Sequence, residues 1–180
     1  MMENRYLPEN FDRVLLDEQQ IAEIVHTIAQ QISQDFADKE LVVVGILKGS
    51  FMFMSDLVKK LTIPCVLDFM SVSSYGNATQ SSGRVNIIKD LSEAVAGKEV
   101  LVVEDIIDSG VTLDFIIKHI KNKGAENVSL CTLLNKPDRR KKDVYVKYSG
   151  IEIADEFVIG YGMDFAEKYR NLPFVGVLHE

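Results

Sequence analysis

The sequence predicts a doubly wound α/β domain around a mostly parallel sheet, and three observations carry that expectation. Apolar, β-branched runs recur at residues 41–47, 100–103 and 128–134, each too continuous for a strand with one wet face. Segments with apolar residues at helical spacing lie between them, so strand and helix alternate. Charged or small polar residues follow the runs, at the edge where open parallel sheets bind ligands.

Taken in order, Asp17-Glu18-Gln19-Gln20 is a helix start, followed by Ile21, Ile24, Val25, Ile28 and Ile32 at helical spacing. The run 41–47 is a buried strand ending at Lys48-Gly49-Ser50, and a helix follows over 51–58. A basic residue and a glycine at a strand-to-helix turn form a corner suited to anions. Residues 64–70 read as a strand with 85–88 as its partner. The stretch 71–84 between them is rich in Ser, Gly, Asn, Thr and Gln, with Tyr75 in its middle. A polar loop of that length is either a surface hairpin or a flap over a site.

The run 100–103 stops at Glu104-Asp105 and passes through Ile106-Ile107 into Asp108-Ser109-Gly110-Val111-Thr112, where a helical pattern begins. A Gly-containing turn opening a helix offers free N–H groups and the positive end of the dipole, which together cradle a phosphate. The paired acids would repel a bare phosphate. They fit a ligand carrying hydroxyls or a divalent cation beside it, such as a sugar phosphate with a free diol. Lys123-Gly124 closes the helix. The strand 128–134 ends at Asn135-Lys136, followed by the basic run Arg139-Arg140-Lys141-Lys142 and a short strand at 144–146. The last apolar run, 157–161, ends at Gly162-Met163-Asp164, with Arg170 beyond.

Four strands thus run out into Lys48, Glu104-Asp105, Lys136 and Asp164, a mixture of cations and acids that describes a pocket for an anionic, metal-bound ligand. No Ser or Cys with a His partner, zinc-ligand cluster or Walker-type loop competes with it. At 180 residues the chain is read as one domain, 1–180. A net charge of −7 argues against general nucleic-acid binding. No apolar run is long enough to span a membrane and no signal-peptide pattern opens the chain, so a cytoplasmic location is expected. Cys65 and Cys131 lie in strand-like runs without metal-ligand spacing and read as buried thiols in a reducing compartment. His26, His119 and His179 have no partner in the sequence and read as packing or surface residues.

The segment Val-Val-Glu-Asp-Ile-Ile-Asp-Ser-Gly-Val-Thr, residues 102–112, resembles the signature of the type I phosphoribosyltransferases, which bind 5-phosphoribosyl pyrophosphate. Its Glu-Asp-Ile-Ile-Asp-Ser-Gly core is similar to the 6-oxopurine branch, in its compact bacterial form, and the resemblance spans nearly the whole chain. It implies the type I fold, with a small hood from the N- and C-terminal segments and a flexible antiparallel flap about 71–86. It further implies purine salvage, with transfer of the phosphoribosyl group to hypoxanthine or guanine, Mg2+ as cofactor, and a homodimer or homotetramer. Phe51-Met52-Phe53-Met54, more apolar than one sheet face needs, points to the same assembly.

By the same resemblance Glu104 and Asp105 hold the ribose hydroxyls, directly or through magnesium, and Asp164 ligates the pyrophosphate-bound metal. Asp108, Ser109, Gly110, Val111 and Thr112 bind the 5-phosphate, and Asp108 is also the general base. Lys48 and Gly49, after a cis peptide, form the pyrophosphate corner with Arg140 and Arg170. Lys136 contacts the 6-oxo group of the purine, Phe157 stacks on it, and Val158 meets its ring edge. Ser74 and Tyr75 belong to the flap. Some relatives carry Thr and Lys where this chain has Ser109 and Val111; a hydroxyl survives at the first position, and the backbone does most of the work at the second. Two other readings stay open. One is a xanthine-preferring relative, since a few groups around Val158 and Asp164 decide what the second ring carbon carries. The other is an RNA-binding regulator on the same fold, favoured by the basic run and opposed by the acidic total.

Overall fold

A computed structural model describes residues 7–74 and 85–179. The first strand, β1 (Phe11–Leu16), leads into helix α1 (Glu18–Asp35). Asp17 caps the helix in a reciprocal box: its Oδ1 accepts from Gln20 N at 2.8 Å, and Gln20 Oε1 accepts from Asp17 N at 2.9 Å. The strand β2 (Leu41–Leu47), helix α2 (Phe51–Val58) and strands β3 (Cys65–Ser74) and β4 (Val85–Lys89) follow. Then come β5 (Glu99–Ile107), α3 (Val111–Asn122), β6 (Asn127–Asn135), β7 (Tyr148–Glu152), β8 (Phe157–Ile159) and β9 (Val175–Leu178).

Six of these strands form one sheet in the order β4-β3-β2-β5-β6-β7. All neighbours are parallel except β4, which returns antiparallel along β3 with Ser74 opposite Val85. The pleat explains the double winding. Leu41, Val43, Leu101 and Val103 face a core shared with α1 and α2, while Val42, Val44, Val100 and Val102 face a second core under α3. Both faces are buried, so these strands carry no polar alternation. The hood is a separate antiparallel sheet, β1-β9-β8, joining the two ends of the described chain.

Three expectations change. β5 does not stop at Glu104-Asp105 but runs through them to Ile107, because β6 keeps pairing as far as Ile107 opposite Asn135. Residues 144–146 are not a strand: the ladder beside β6 is taken by Tyr148–Glu152, while Val144 tucks into the core under α3. The run ending at Asp164 lies in the hood, where Phe157 pairs with Leu178, so only three of the four site-bearing runs belong to the parallel sheet. Tyr75 and most of the flap, 75–84, lie outside the described residues, as does the side chain of Ser74. No helix among the described residues is long and apolar enough to cross a membrane.

Candidate active site

The carboxyl end of β2 turns sharply at Lys48-Gly49-Ser50, where the Leu47–Lys48 peptide is cis, as the family resemblance implies. Ser50 is fully buried, and its hydroxyl donates to Ile46 O at 2.7 Å, tying the turn to the strand behind it. A Cβ on Gly49 would lie 1.9 Å from Asp105 Oδ2, so the backbone here passes directly over that carboxylate. Lys48 itself is exposed, with Nζ 2.7 Å from Glu167 Oε2.

Asp105 is 8% exposed, and its Oδ1 accepts from Ile106 N at 2.8 Å. Burial and the charge of Asp105 push the Glu104 carboxyl well above the usual carboxylate range, and burial also pushes Asp105 up. Two desolvated carboxylates side by side want hydroxyl donors or a cation in front of them. All the nearby donor atoms are hard oxygens, the set Mg2+ takes, and Mg2+ completes its shell with water and substrate phosphates rather than with a protein cage. No group of three or more metal-ligating side chains converges among the described residues.

Beyond β5 the chain forms the loop Asp108-Ser109-Gly110 and enters α3. The first-turn N–H groups of Thr112 and Leu113 have no acceptor within the helix, while Ser109 Oγ accepts from Val111 N at 3.4 Å. The basic run lies behind this loop. Lys141 N and Lys142 N both donate to Ser109 O, at 2.9 and 3.1 Å. Arg140 donates from Nε to Asp108 O (3.1 Å), from Nη1 to Val144 O (3.3 Å) and from Nη2 to Asn135 Oδ1. A Cβ on Gly110 would stand 2.8 Å from Lys142 O, so the two segments are in close contact. Arg140 therefore braces the loop from behind, with its guanidinium committed to protein acceptors.

Two clefts open at this edge and share Ile106 and Asp108. One, about 250 Å³, is lined by Glu104, Asp108, Ser109, Gly110 and Thr112. The other, about 210 Å³, is lined by Asp105, Asp108, Lys136, Phe157, Val158 and Asp164. Lys136 is 9% exposed, held by its N–H on Ile107 O (2.9 Å), with Nζ 3.9 Å from Asp155. Phe157 packs edge-on against Phe165 (5.8 Å between centroids) yet stays 48% exposed, leaving an aromatic surface open. Asp164 pairs with Arg170 at 2.7 Å, and Arg170 also donates to Gly162 O at 2.8 Å. The larger cavity, about 470 Å³ between α1 and α2, contains none of these residues.

The structure thus brings Lys48, Gly49, Glu104, Asp105, the loop 108–112, Lys136, Phe157, Val158, Asp164 and Arg170 to one edge. It turns Arg140 behind the loop and leaves Tyr75 undescribed. Sequence reasoning missed Asp155, Asn135 and Glu167, the carboxylates and amide that hold Lys136, Arg140 and Lys48. The histidines play no part: His119 lies 3.0 Å from Asp90, and His179 lies 3.2 Å from Asp12.

Residues 14–166 match the model of the phosphoribosyl transferase domain. The chain is 43% identical over 172 residues to the hypoxanthine-guanine phosphoribosyltransferase of Bacillus subtilis, covering 96% of each. It resembles a crystal structure of a hypoxanthine phosphoribosyltransferase from Staphylococcus aureus with a TM-score of 0.91, at 47% identity over 94% of this chain and 92% of that one. The Trypanosoma cruzi enzyme in complex with its product IMP gives a TM-score of 0.89 at 32% identity, covering 96% of this chain and 97% of the other. The signature loop, the sheet order and these likenesses agree, and the chain belongs to the phosphoribosyltransferase family, among the hypoxanthine-guanine phosphoribosyltransferases.

Proposed function

We propose that this protein salvages purines, moving the 5-phosphoribosyl group from phosphoribosyl pyrophosphate to hypoxanthine and guanine to give IMP, GMP and pyrophosphate. The observation that supports this best is the pair of clefts meeting at Asp108: one faces a helix N-terminus, the other an open aromatic ring and a buried ammonium. The 5-phosphate takes the first-turn N–H groups of α3 and the hydroxyls of Ser109 and Thr112. Glu104 and Asp105 accept from the ribose hydroxyls. Lys48, Gly49 and Arg170 hold the pyrophosphate. Phe157 stacks on the purine, Val158 offers its main chain to the ring edge, and Lys136 donates to the 6-oxo group. Asp108 takes the proton from the imidazole nitrogen as that nitrogen bonds to the anomeric carbon and the bond to pyrophosphate breaks. Arg140 keeps Asp108 in place through its carbonyl. Glu104, Asp105 and Asp164 are the residues to hold Mg2+, which when bound neutralises the departing pyrophosphate.

The whole chain works as one domain in this scheme, the hood supplying Phe157, Val158 and Asp164 and the sheet the rest. The basic run, which favoured RNA binding, spends Arg140 and the backbone of Lys141 and Lys142 on bracing the loop, which supports the enzyme over the regulator. Burial of Cys131, whose thiol it pushes up, suits a reducing cytoplasm.

Turnover with each of four bases tests the reading. An ammonium has only donors, so the 6-amino group of adenine offers Lys136 no acceptor, and its kcat/KM should fall about 10³-fold or more below that of hypoxanthine. Hypoxanthine and guanine should both turn over with magnesium present. Adenine within tenfold of hypoxanthine, or no turnover with any base, would sink the assignment; preferred turnover of xanthine would move it to the xanthine branch.

A homodimer or homotetramer is part of the same proposal. Phe51 of α2 is 39% exposed and Leu67 of β3 is 46% exposed, on the sheet face that carries α2. Light scattering at micromolar concentration should give twice or four times the mass of the 180-residue chain; a monomer would remove the idea.

A further inference from the structure

We propose that Glu167 sets the affinity of the site for its diphosphate group by occupying the cations that this group needs. The inference rests on the reading of Lys48-Gly49 and Arg170 as the pyrophosphate corner. Glu167 Oε2 lies 2.7 Å from Lys48 Nζ, and Oε1 lies 3.6 Å from Arg170 Nη2. One carboxylate therefore bridges two cations, Lys48 in the turn after β2 and Arg170 in the hood, and the closer of them is 119 positions away in sequence. A diphosphate arriving between them meets a negative charge and two donors already engaged.

The backbone is bent to produce this contact. Phe165 and Lys168 exchange N–H to O bonds at 3.1 Å in both directions, closing a two-residue turn. Its corner residues, Ala166 at φ 51° and Glu167 at φ 64°, both sit in the left-handed region, a turn type that ordinarily takes Asn-Gly. Side-chain-bearing residues rarely hold such a conformation without compensation, and such positions concentrate at functional sites. Here the compensation is visible: Glu167 N donates to Asp164 Oδ2 at 2.8 Å. A polar residue needing only to be solvated would not need this turn. The bend aims the carboxylate back at Lys48.

Both partners of the Lys48 pair are 67% exposed, so the contact is strong enough to tune binding and weak enough to yield to a highly charged ligand. Glu167→Gln keeps the shape and removes the charge. Titration of the variant with magnesium pyrophosphate, and with phosphoribosyl pyrophosphate, should show binding tightened about threefold to fivefold at low salt. The gain should shrink in 0.5 M KCl, where the Debye length falls to roughly 4 Å. Lys48→Gln is run beside it. Unchanged or weaker binding in Glu167→Gln, with binding lost in Lys48→Gln, overturns the role of Glu167 and leaves the pyrophosphate corner standing. Unchanged binding in both variants overturns the corner itself, and with it the inference.

Discussion

Asp108→Asn should lower kcat by about 10²–10³-fold while leaving the fold and the affinity for phosphoribosyl pyrophosphate nearly intact. Asp108 is exposed at the junction of the two clefts, and its carboxylate makes no hydrogen bond among the described residues. Only its carbonyl oxygen is engaged, by Arg140 Nε at 3.1 Å. Replacing the carboxylate with an amide of the same shape therefore costs little stability, within about 0.5 kcal/mol for an exposed side chain. What it removes is the capacity to take up a proton, because a neutral amide is not a base, although its oxygen still accepts hydrogen bonds. If Asp108 were instead a binding residue for the sugar phosphate, the loss would fall on KM. Steady-state kinetics with hypoxanthine, together with a thermal melt, separate the cases. A variant retaining more than a tenth of the parent kcat would remove Asp108 from the base role.

The parts of this molecule that were legible beforehand are those whose signals are local. The Asp17 capping box, the helix at Phe51–Val58 and the loop at Asp108-Ser109-Gly110 each depend on residues within a few positions of one another. The hood depends on pairing across the chain: β1 begins at Phe11 and pairs with Leu178, and neither run is long or apolar enough to announce itself. Residues 144–146 have the composition of a strand. They lost the ladder to Tyr148–Glu152, because Val144 went into the core and its carbonyl to Arg140. Propensity was overruled there by tertiary contacts. Glu104-Asp105 looked like a strand end because two acids rarely lie inside a buried strand, yet the strand continues past them to Ile107. The strand thus carries two acids within the core, and the upward push of burial and Asp105 on the Glu104 carboxyl is the physical trace of it. Glu167 was invisible for a different reason: Ala-Glu is no turn signal, and only the backbone reveals the turn.

Gly162→Ala should damage stability and substrate binding together, because Gly162 joins the hood to the proposed pyrophosphate corner. Gly162 has φ 105°, and a Cβ there would lie 2.0 Å from Gly49 O. That oxygen is backbone, so no rotamer can relieve the contact. Gly49 in turn has no room to move toward β5, since it already rests on the Asp105 carboxylate. The methyl group must therefore push the turn at Gly162 away from the site, taking along the carbonyl that receives Arg170 at 2.8 Å. Strained backbone and an unrelieved clash together should cost about 3 kcal/mol or more, which for a chain of this size lowers Tm by roughly 6–12 °C. The KM for phosphoribosyl pyrophosphate should rise in the protein that remains folded. Gly97→Ala supplies the control: Gly97 has φ 70° with nothing within 4 Å of a Cβ, so it carries the backbone penalty alone, about 1–2 kcal/mol, and should leave KM unchanged. Denaturant melts and kinetics on both variants isolate the contact from the conformation. Equal destabilisation, with equal KM, would mean that the hood and the corner are not mechanically joined through Gly162 and Gly49.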